Sequence, residues 1–360
     1  MVEESTNGGS GMTTITNVLW VKLEKAGLVQ GEIPKIDSVN SPWYIKMLLA
    51  TSGWLGAIFL LGFLFSAFSS LLEEPIASFF MSLPLLLIAH KILRAPNNEF
   101  YEHFALAISL SGQALFVRSV IEWDSFELVW FTVGVFQVLL AYFMPSFLHR
   151  VFSTLFAVLS FAASLAMIGV PHLLGSLLIF TTAWICLNEF RFANQYKRIK
   201  GLMYGLVISI LLLKCSHIFG ADFESLLLST NEIIVPSWVS YVIYISALVF
   251  TSWQLLSSNR VDINSKFSRM VLLFTFILGL ATFKAPGIGV GLVILVLGFA
   301  HSNRILLGLG VISLLVYSSA YYYLMEDTLL FKSGILLVVA ILMLASRFLF
   351  NKTLPSLKDK

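Results

Sequence analysis

The sequence alternates between long apolar runs and short breaks that carry proline, glycine, asparagine or charged residues. The hydrocarbon core of a bilayer is about 30 Å thick, so a helix that crosses it needs roughly 17–25 apolar residues. By that measure the chain contains twelve candidate spans: Met47–Leu72, Ile76–Leu93, Phe104–Val120, Phe126–Met144, Val151–Ile168, Leu173–Phe190, Ile199–Phe219, Ile233–Leu256, Met270–Phe283, Gly287–Ala300, Ile305–Leu324 and Ser333–Phe350. Helices satisfy their backbone hydrogen bonds internally in lipid. The pattern therefore predicts an all-α, polytopic transmembrane helix bundle.

Composition points to the same class of protein. The chain has 360 residues, of which 58% are hydrophobic and only 12% are charged, and its mean hydropathy is +0.88. An ordinary soluble domain is about 45–50% apolar and about 25% charged. These values exclude a soluble enzyme and a disordered chain. A net charge of +3 supplies no basic domain, so we expect the lipid bilayer as a partner and no nucleic acid.

The charges of the loops predict the orientation in the membrane. Cytoplasmic loops of membrane proteins are enriched in lysine and arginine. Only four of the 23 basic residues fall on the outer side of the twelve predicted spans, and they are Arg118, Lys214, Lys284 and Lys332. The other 19 share the side of the chain ends. We therefore expect both termini to be cytoplasmic.

Three segments follow from this pattern. Residues 1–40 are predicted to form a cytoplasmic tail with one short amphipathic helix, which is marked by Ile15, Val18, Leu19 and Leu23 at helical spacing. Residues 41–350 form the transmembrane helical domain. Residues 351–360 form a cytoplasmic C-terminal tail.

One pair of predicted spans is unusually short. Met270–Phe283 and Gly287–Ala300 hold 14 residues each, below the range that crosses a bilayer comfortably. Two interpretations fit the pair. It forms two short helices with a tight outer turn, or it forms a re-entrant pair that enters from the cytoplasm and packs within protein.

Four polar residues make up a candidate polar cluster: Gln113, Arg118, Glu122 and Lys214. Arg118 and Glu122 are spaced i,i+4 on one helix face, and Gln113 lies deeper on the same helix. Ionisable residues inside the hydrocarbon are costly and are candidates for function. In one interpretation the cations extend to the outer interface and anchor the helices. In the other, the four residues line a polar cleft suited to an anion or a proton relay.

Catalytic chemistry has little support in the sequence. It contains no H-E-x-x-H, no phosphate-binding glycine loop and no G-x-S-x-G, so we expect neither an enzyme nor a cofactor. Cys186 and Cys215 lie in apolar runs and are interpreted as small hydrophobic residues. Glu99, Glu102 and His103 fit either a metal site or a charged loop before a helix, and we predict no metal.

Two stretches of the chain resemble the two ends of a known family. The first carries SPWY at 41–44 and SGWL at 52–55, and the second carries YYYL at 321–324 and TLLFKSG at 328–334. They are similar to a family of polytopic bacterial membrane proteins classed only as a domain of unknown function, often encoded beside membrane proteins with a GDYXXLXY domain. The resemblance implies the bacterial inner (plasma) membrane and a neighbouring-gene membrane protein as partner. It transfers no activity.

The second stretch supplies a candidate outer-face motif of Tyr321, Tyr322, Tyr323, Asp327 and Lys332. Tyrosines are enriched at headgroup depth, which accounts for the three rings. A contact with a partner protein is the alternative. We expect Lys332 to pair with Asp327 or with another outer carboxylate.

Two functions are consistent with this sequence. The first is a non-enzymatic subunit of a membrane complex whose partner bears a periplasmic domain. The second is a small-solute transporter or exporter, which predicts polar groups near the middle of the membrane.

Overall fold

A computed structural model describes most of the chain. The described residues are 24, 26, 43–69, 74–94, 99–122, 126–170, 173–189, 191, 195–218, 235–259, 261–282, 286–324 and 328–353. The predicted amphipathic helix marked by Ile15, Val18, Leu19 and Leu23 lies outside them, as do residues 351–360 apart from 351–353. The chain divides into two compact units, Met1–Leu49 and Ala50–Lys360. The described part of the first unit is mainly the start of one helix, and the second unit contains the helical bundle.

The described residues form twelve α-helices and no strand, which confirms the predicted all-α bundle. The helices are α1 (Trp43–Ala67), α2 (Pro75–Arg94), α3 (Glu99–Ile121), α4 (Phe126–Phe143), α5 (Phe147–Met167), α6 (Leu173–Leu187), α7 (Tyr196–Ile218), α8 (Ser237–Ser258), α9 (Lys266–Ala281), α10 (Pro286–Ala300), α11 (Arg304–Leu324) and α12 (Leu329–Thr353). Each overlaps one of the twelve predicted runs. Five helices, α1, α3, α5, α9 and α12, begin at least four residues earlier than predicted, because they take in charged or polar residues that looked like loop.

Six of these helices are long and apolar enough to cross a membrane, judged by length and composition over the described residues. They are α1, α2, α3, α5, α8 and α11. Four more are apolar but shorter, namely α4, α6, α10 and α12. The fold therefore has the helices that a membrane protein requires.

The two short predicted spans are separate helices with different main neighbours. α9 packs chiefly on α8 and α12, whereas α10 packs chiefly on α11 and also on α7 and α6. Residues 287–294 of α10 are all buried. The arms of a re-entrant pair would pack mainly on each other, so this arrangement favours the interpretation of two short helices.

Glycines on α7 bring this helix close to α5. A Cβ atom at Gly205 would overlap the Thr154 side chain and lie 2.9 Å from the Val151 carbonyl oxygen. A Cβ at Gly201 would lie 3.0 Å from the Cβ of Arg150. Small residues four apart allow the close backbone approach on which helix packing in membranes depends. The contact places the beginnings of α5 and α7 side by side.

Candidate functional site in a polar network across three helices

A chain of polar side chains joins α3, α4 and α5 inside the bundle. The imidazole of His149, near the start of α5, is fully buried. Its Nε2 lies 2.6 Å from Oγ of Ser109 on α3, and its Nδ1 lies 3.1 Å from Oγ of Ser153 on α5. Nε2 of Gln113 donates to Oγ of Ser109 at 3.2 Å, and Nε2 of Gln137 on α4 donates to Oε1 of Gln113 at 2.9 Å. All five side chains are buried.

The hydrogen bonds of this network can all run in one direction. The Gln137 amide donates to Gln113, and the Gln113 amide donates to Ser109. The Ser109 hydroxyl then donates a hydrogen bond to Nε2 of His149. Because Nε2 is the acceptor, the imidazole N–H lies at Nδ1, and it donates a hydrogen bond to the Ser153 hydroxyl. A neutral imidazole supplies one donor and one acceptor, as this chain requires. Hydrogen bonds aligned in this way polarise and strengthen one another where the dielectric is low.

One end of the network has an unused acceptor. Oε1 of Gln137 is buried and has no hydrogen-bond partner among the described residues. A buried polar group without a partner costs about 1–3 kcal/mol. The network thus holds three helices together and also leaves one acceptor available at its α4 end.

The four residues of the predicted polar cluster have different surroundings. Arg118 and Glu122 form the expected i,i+4 pair at 3.7 Å, with side chains 45% and 47% exposed. Gln113 belongs to the buried network instead. Nζ of Lys214 lies beside Gly175 at the start of α6, 3.4 Å from where a Cβ would stand. The structure therefore places Gln113 and Lys214 among different helices.

The candidate outer-face motif is partly buried. Tyr321 is 2% exposed, whereas Tyr322 is 38% and Tyr323 is 78% exposed. Lys332 is 5% exposed, and its Nζ donates to the backbone oxygen of Tyr322 at 3.0 Å. That oxygen belongs to the last turn of α11, where carbonyls lack helical partners and a cation is favoured. Asp327, the carboxylate expected beside Lys332, lies outside the described residues.

The acidic stretch at the start of α3 has a structural contact. Oγ of Ser146, the N-cap residue of α5, donates to Oε1 of Glu102 and accepts from the backbone N–H of His149. His103 lies beside Gly53 of α1. Over the described part of the chain, no three histidine, cysteine or acidic residues come close enough to hold a metal ion. The side chain of Glu99 is not among those described.

Sequence reasoning identified Gln113 but missed four members of the network. A signal was present, since Ser109 and Gln113 are spaced i,i+4, and so are His149 and Ser153. Such pairs share a helix face.

The apolar helices, which surround a buried polar network, indicate an all-α membrane protein. Within that class, the chain belongs to the DUF4401 family, a domain of unknown function, whose model matches residues 42–353. This match confirms that the chain belongs to a domain-of-unknown-function family, as the SPWY and YYYL segments indicated. Neither the curated proteins nor the solved structures contain a match to this sequence.

Proposed function

We propose that the chain is a multi-pass protein of the bacterial inner membrane with both termini in the cytoplasm. The support is the even number of helices among the described residues, twelve, together with the concentration of lysine and arginine in alternate connections. α5 and α7 are packed at their beginnings and α3 is tied to the start of α5 through Glu102. Three helices that begin on one side are what alternating crossings require.

Cysteine labelling tests this orientation. Asn264 lies in the predicted cytoplasmic connection between α8 and α9, and Thr328 lies in the predicted outer connection before α12, both exposed. In a background with Cys215→Ala, we expect the Thr328→Cys variant to react with a membrane-impermeant maleimide in spheroplasts. The Asn264→Cys variant should react only after lysis. Labelling of Asn264→Cys in intact spheroplasts would contradict the orientation.

Within this membrane, the proposed role is that of a non-enzymatic subunit of a complex. The observation that carries it is the surface at the outer ends of α11 and α12, where Tyr323 is 78% exposed and Leu330 is 85% exposed. The buried amine of Lys332 fixes the geometry of this surface by bonding the last turn of α11. Exposed tyrosines on a rigid support are typical of contacts that dominate protein interfaces. The partner would be a membrane protein with a periplasmic domain.

Affinity purification in mild detergent from the native membrane tests the subunit role. We expect a membrane protein with a periplasmic domain to co-elute in fixed ratio, and the Tyr323→Ala variant to retain less than about a tenth of it, as for a residue worth about 1.4 kcal/mol or more of binding. Phe299→Ala is the matched control, because Phe299 is equally exposed at 78% but lies at the end of α10. Elution of the wild-type chain alone would contradict the proposal.

A second candidate function is small-solute transport, and the polar network favours it. A transporter needs polar groups inside the membrane, and such groups are otherwise rare there. Gln113 and Gln137 occupy the middle of α3 and α4, and Oε1 of Gln137 is available to a donor. The observation that supports transport is therefore this buried polar network, because a transporter requires polar groups in the middle of the membrane.

A further inference from the structure

Arg150 is a buried cation that forms no ion pair with any described residue. It follows His149 in the first turn of α5, and only 5% of its surface is exposed. Its Nε is buried and unbonded, and the described residues offer its guanidinium neither a hydrogen bond nor an ion pair. The side chain lies against α7, since a Cβ at Gly201 would be 3.0 Å from its Cβ and 3.6 Å from its Cδ.

The electrostatic surroundings of Arg150 are positive. The charged group that acts on it is another guanidinium, that of Arg198 in the first turn of α7. Arg198 is exposed and lies 5.4 Å from the ring centre of Tyr142. The N-termini of α5 and α7 meet here, and the partial positive charge of each helix dipole adds to the two cations. Glu102 accepts a hydrogen bond from Ser146, the N-cap residue of α5, and among the described residues it forms no ion pair with Arg150.

A buried charge without a partner is strongly destabilising, because its lost hydration is not replaced. Two helix N-termini with arginines in their first turns are a favourable arrangement for an anion. Arginine binds phosphate oxygens through its planar, forked set of donors. We propose that Arg150 and Arg198, between the first turns of α5 and α7, bind a phosphate group.

Two sources of such a phosphate are compatible with the position. The site lies at the end of the bundle that the loop charges assign to the cytoplasm, where basic pockets between helices hold the headgroups of anionic lipids. A free phosphate from the cytoplasm has the same chemistry. The proposal does not depend on the subunit role, because the site is formed by α5 and α7 and involves neither α11 nor α12.

Thermal unfolding of the purified full-length chain in an uncharged detergent tests the site. The additives are phosphatidylglycerol, phosphatidylcholine, and inorganic phosphate matched in ionic strength with chloride. We expect phosphatidylglycerol to raise the unfolding midpoint by several degrees and phosphatidylcholine to leave it unchanged. If inorganic phosphate alone gives the full rise, the source is free phosphate, and if only phosphatidylglycerol does, the source is a lipid headgroup.

Variants separate this site from general effects of lipid or salt. Arg150→Met keeps the length of the side chain, and we expect it to unfold at a higher temperature than the wild type without additive, because the uncompensated charge is gone. It should bind the phosphate probe at least about tenfold more weakly, as for one lost charge-assisted hydrogen bond or more. Arg198→Gln, at an exposed position, should reduce the rise in the unfolding midpoint that the phosphate probe causes, without affecting folding. Arg118→Met should respond as the wild type does.

Two results would overturn the proposal. One is a wild-type midpoint that neither phosphatidylglycerol nor phosphate raises above the chloride and phosphatidylcholine controls. The other is an Arg150→Met variant that responds as strongly as the wild type.

Discussion

Replacing His149 by leucine is expected to lower the free energy of unfolding by about 2–3 kcal/mol. The imidazole accepts from Ser109 and donates to Ser153 inside the bundle, and leucine leaves both hydroxyls buried without that partner. Each unsatisfied group costs about 1–3 kcal/mol, although hydrogen bonds between membrane helices average only about 0.6 kcal/mol. Unfolding by SDS in mixed micelles measures the change. His90→Leu is the control, because His90 is only partly buried.

The triple variant Ser109→Ala, His149→Leu, Ser153→Ala should recover part of this loss, because it removes the two hydroxyls that lose the imidazole and leaves only the Gln113 amide without its acceptor. Removing all the partners of a buried hydrogen bond is nearly neutral, whereas removing one is not. A triple variant as unstable as the sum of its single changes would argue against a coupled network.

The triple variant also distinguishes the two proposed functions, since solute transport should be lost in it while binding of a partner at Tyr323 persists.

Gly289→Ala is expected to destabilise the chain by about 1–3 kcal/mol through overpacking. A methyl group at this position of α10 would overlap the hydroxyl of Tyr244 on α8 and lie 3.1 Å from Oγ1 of Thr282. Tyr244 is 2% exposed and its hydroxyl is 3.2 Å from that same Thr282 oxygen, so the ring has little room to move. The midpoint of thermal unfolding in detergent measures the effect.

A second substitution shows whether the clash is the cause. Tyr244→Phe removes the overlapping oxygen, so the double variant with Gly289→Ala should be more stable than Gly289→Ala alone. Gly308→Ala on α11 is the matched control, because nothing lies within 4 Å of its Cβ position. Alanine is better than glycine in a helix by about 1 kcal/mol, so this control should be neutral or stabilising. Equal losses at both glycines would refute the overlap.

The helices were predictable from sequence because each one overlaps a run of apolar residues. Their beginnings were less predictable where a charged residue is buried. Lys332 looked like the end of a loop, yet α12 begins at Leu329 and the amine reaches the Tyr322 carbonyl. Arg150 likewise looked like part of a cytoplasmic connection, yet it lies in the first turn of α5 and is covered by α7. A sequence pattern reports hydropathy, and it does not report which neighbour covers a charge.

The candidate site was predictable in part for the same reason. Gln113 stands out as an amide deep in an apolar span, and Arg118 with Glu122 is a local pair that spacing reveals. The link from Gln113 to Gln137 and His149 depends on how three helices pack, and residues 24 and 36 positions away from Gln113 carry no local mark of it. Lys214 was included with Gln113 in the candidate cluster, whereas the structure places its Nζ beside Gly175 of α6.

The glycine-lined surface of α10 has a consequence for how the protein is made. Gly287 receives the ring of Tyr317, and Gly291 receives Ser313 and Leu314, all from α11. Ribosomes add roughly 5–20 residues per second, so α11 is made within a few seconds of α10. Until α11 packs, no protein side chain fills these positions of α10. The two helices therefore reach this native contact only as a hairpin, once both have been made.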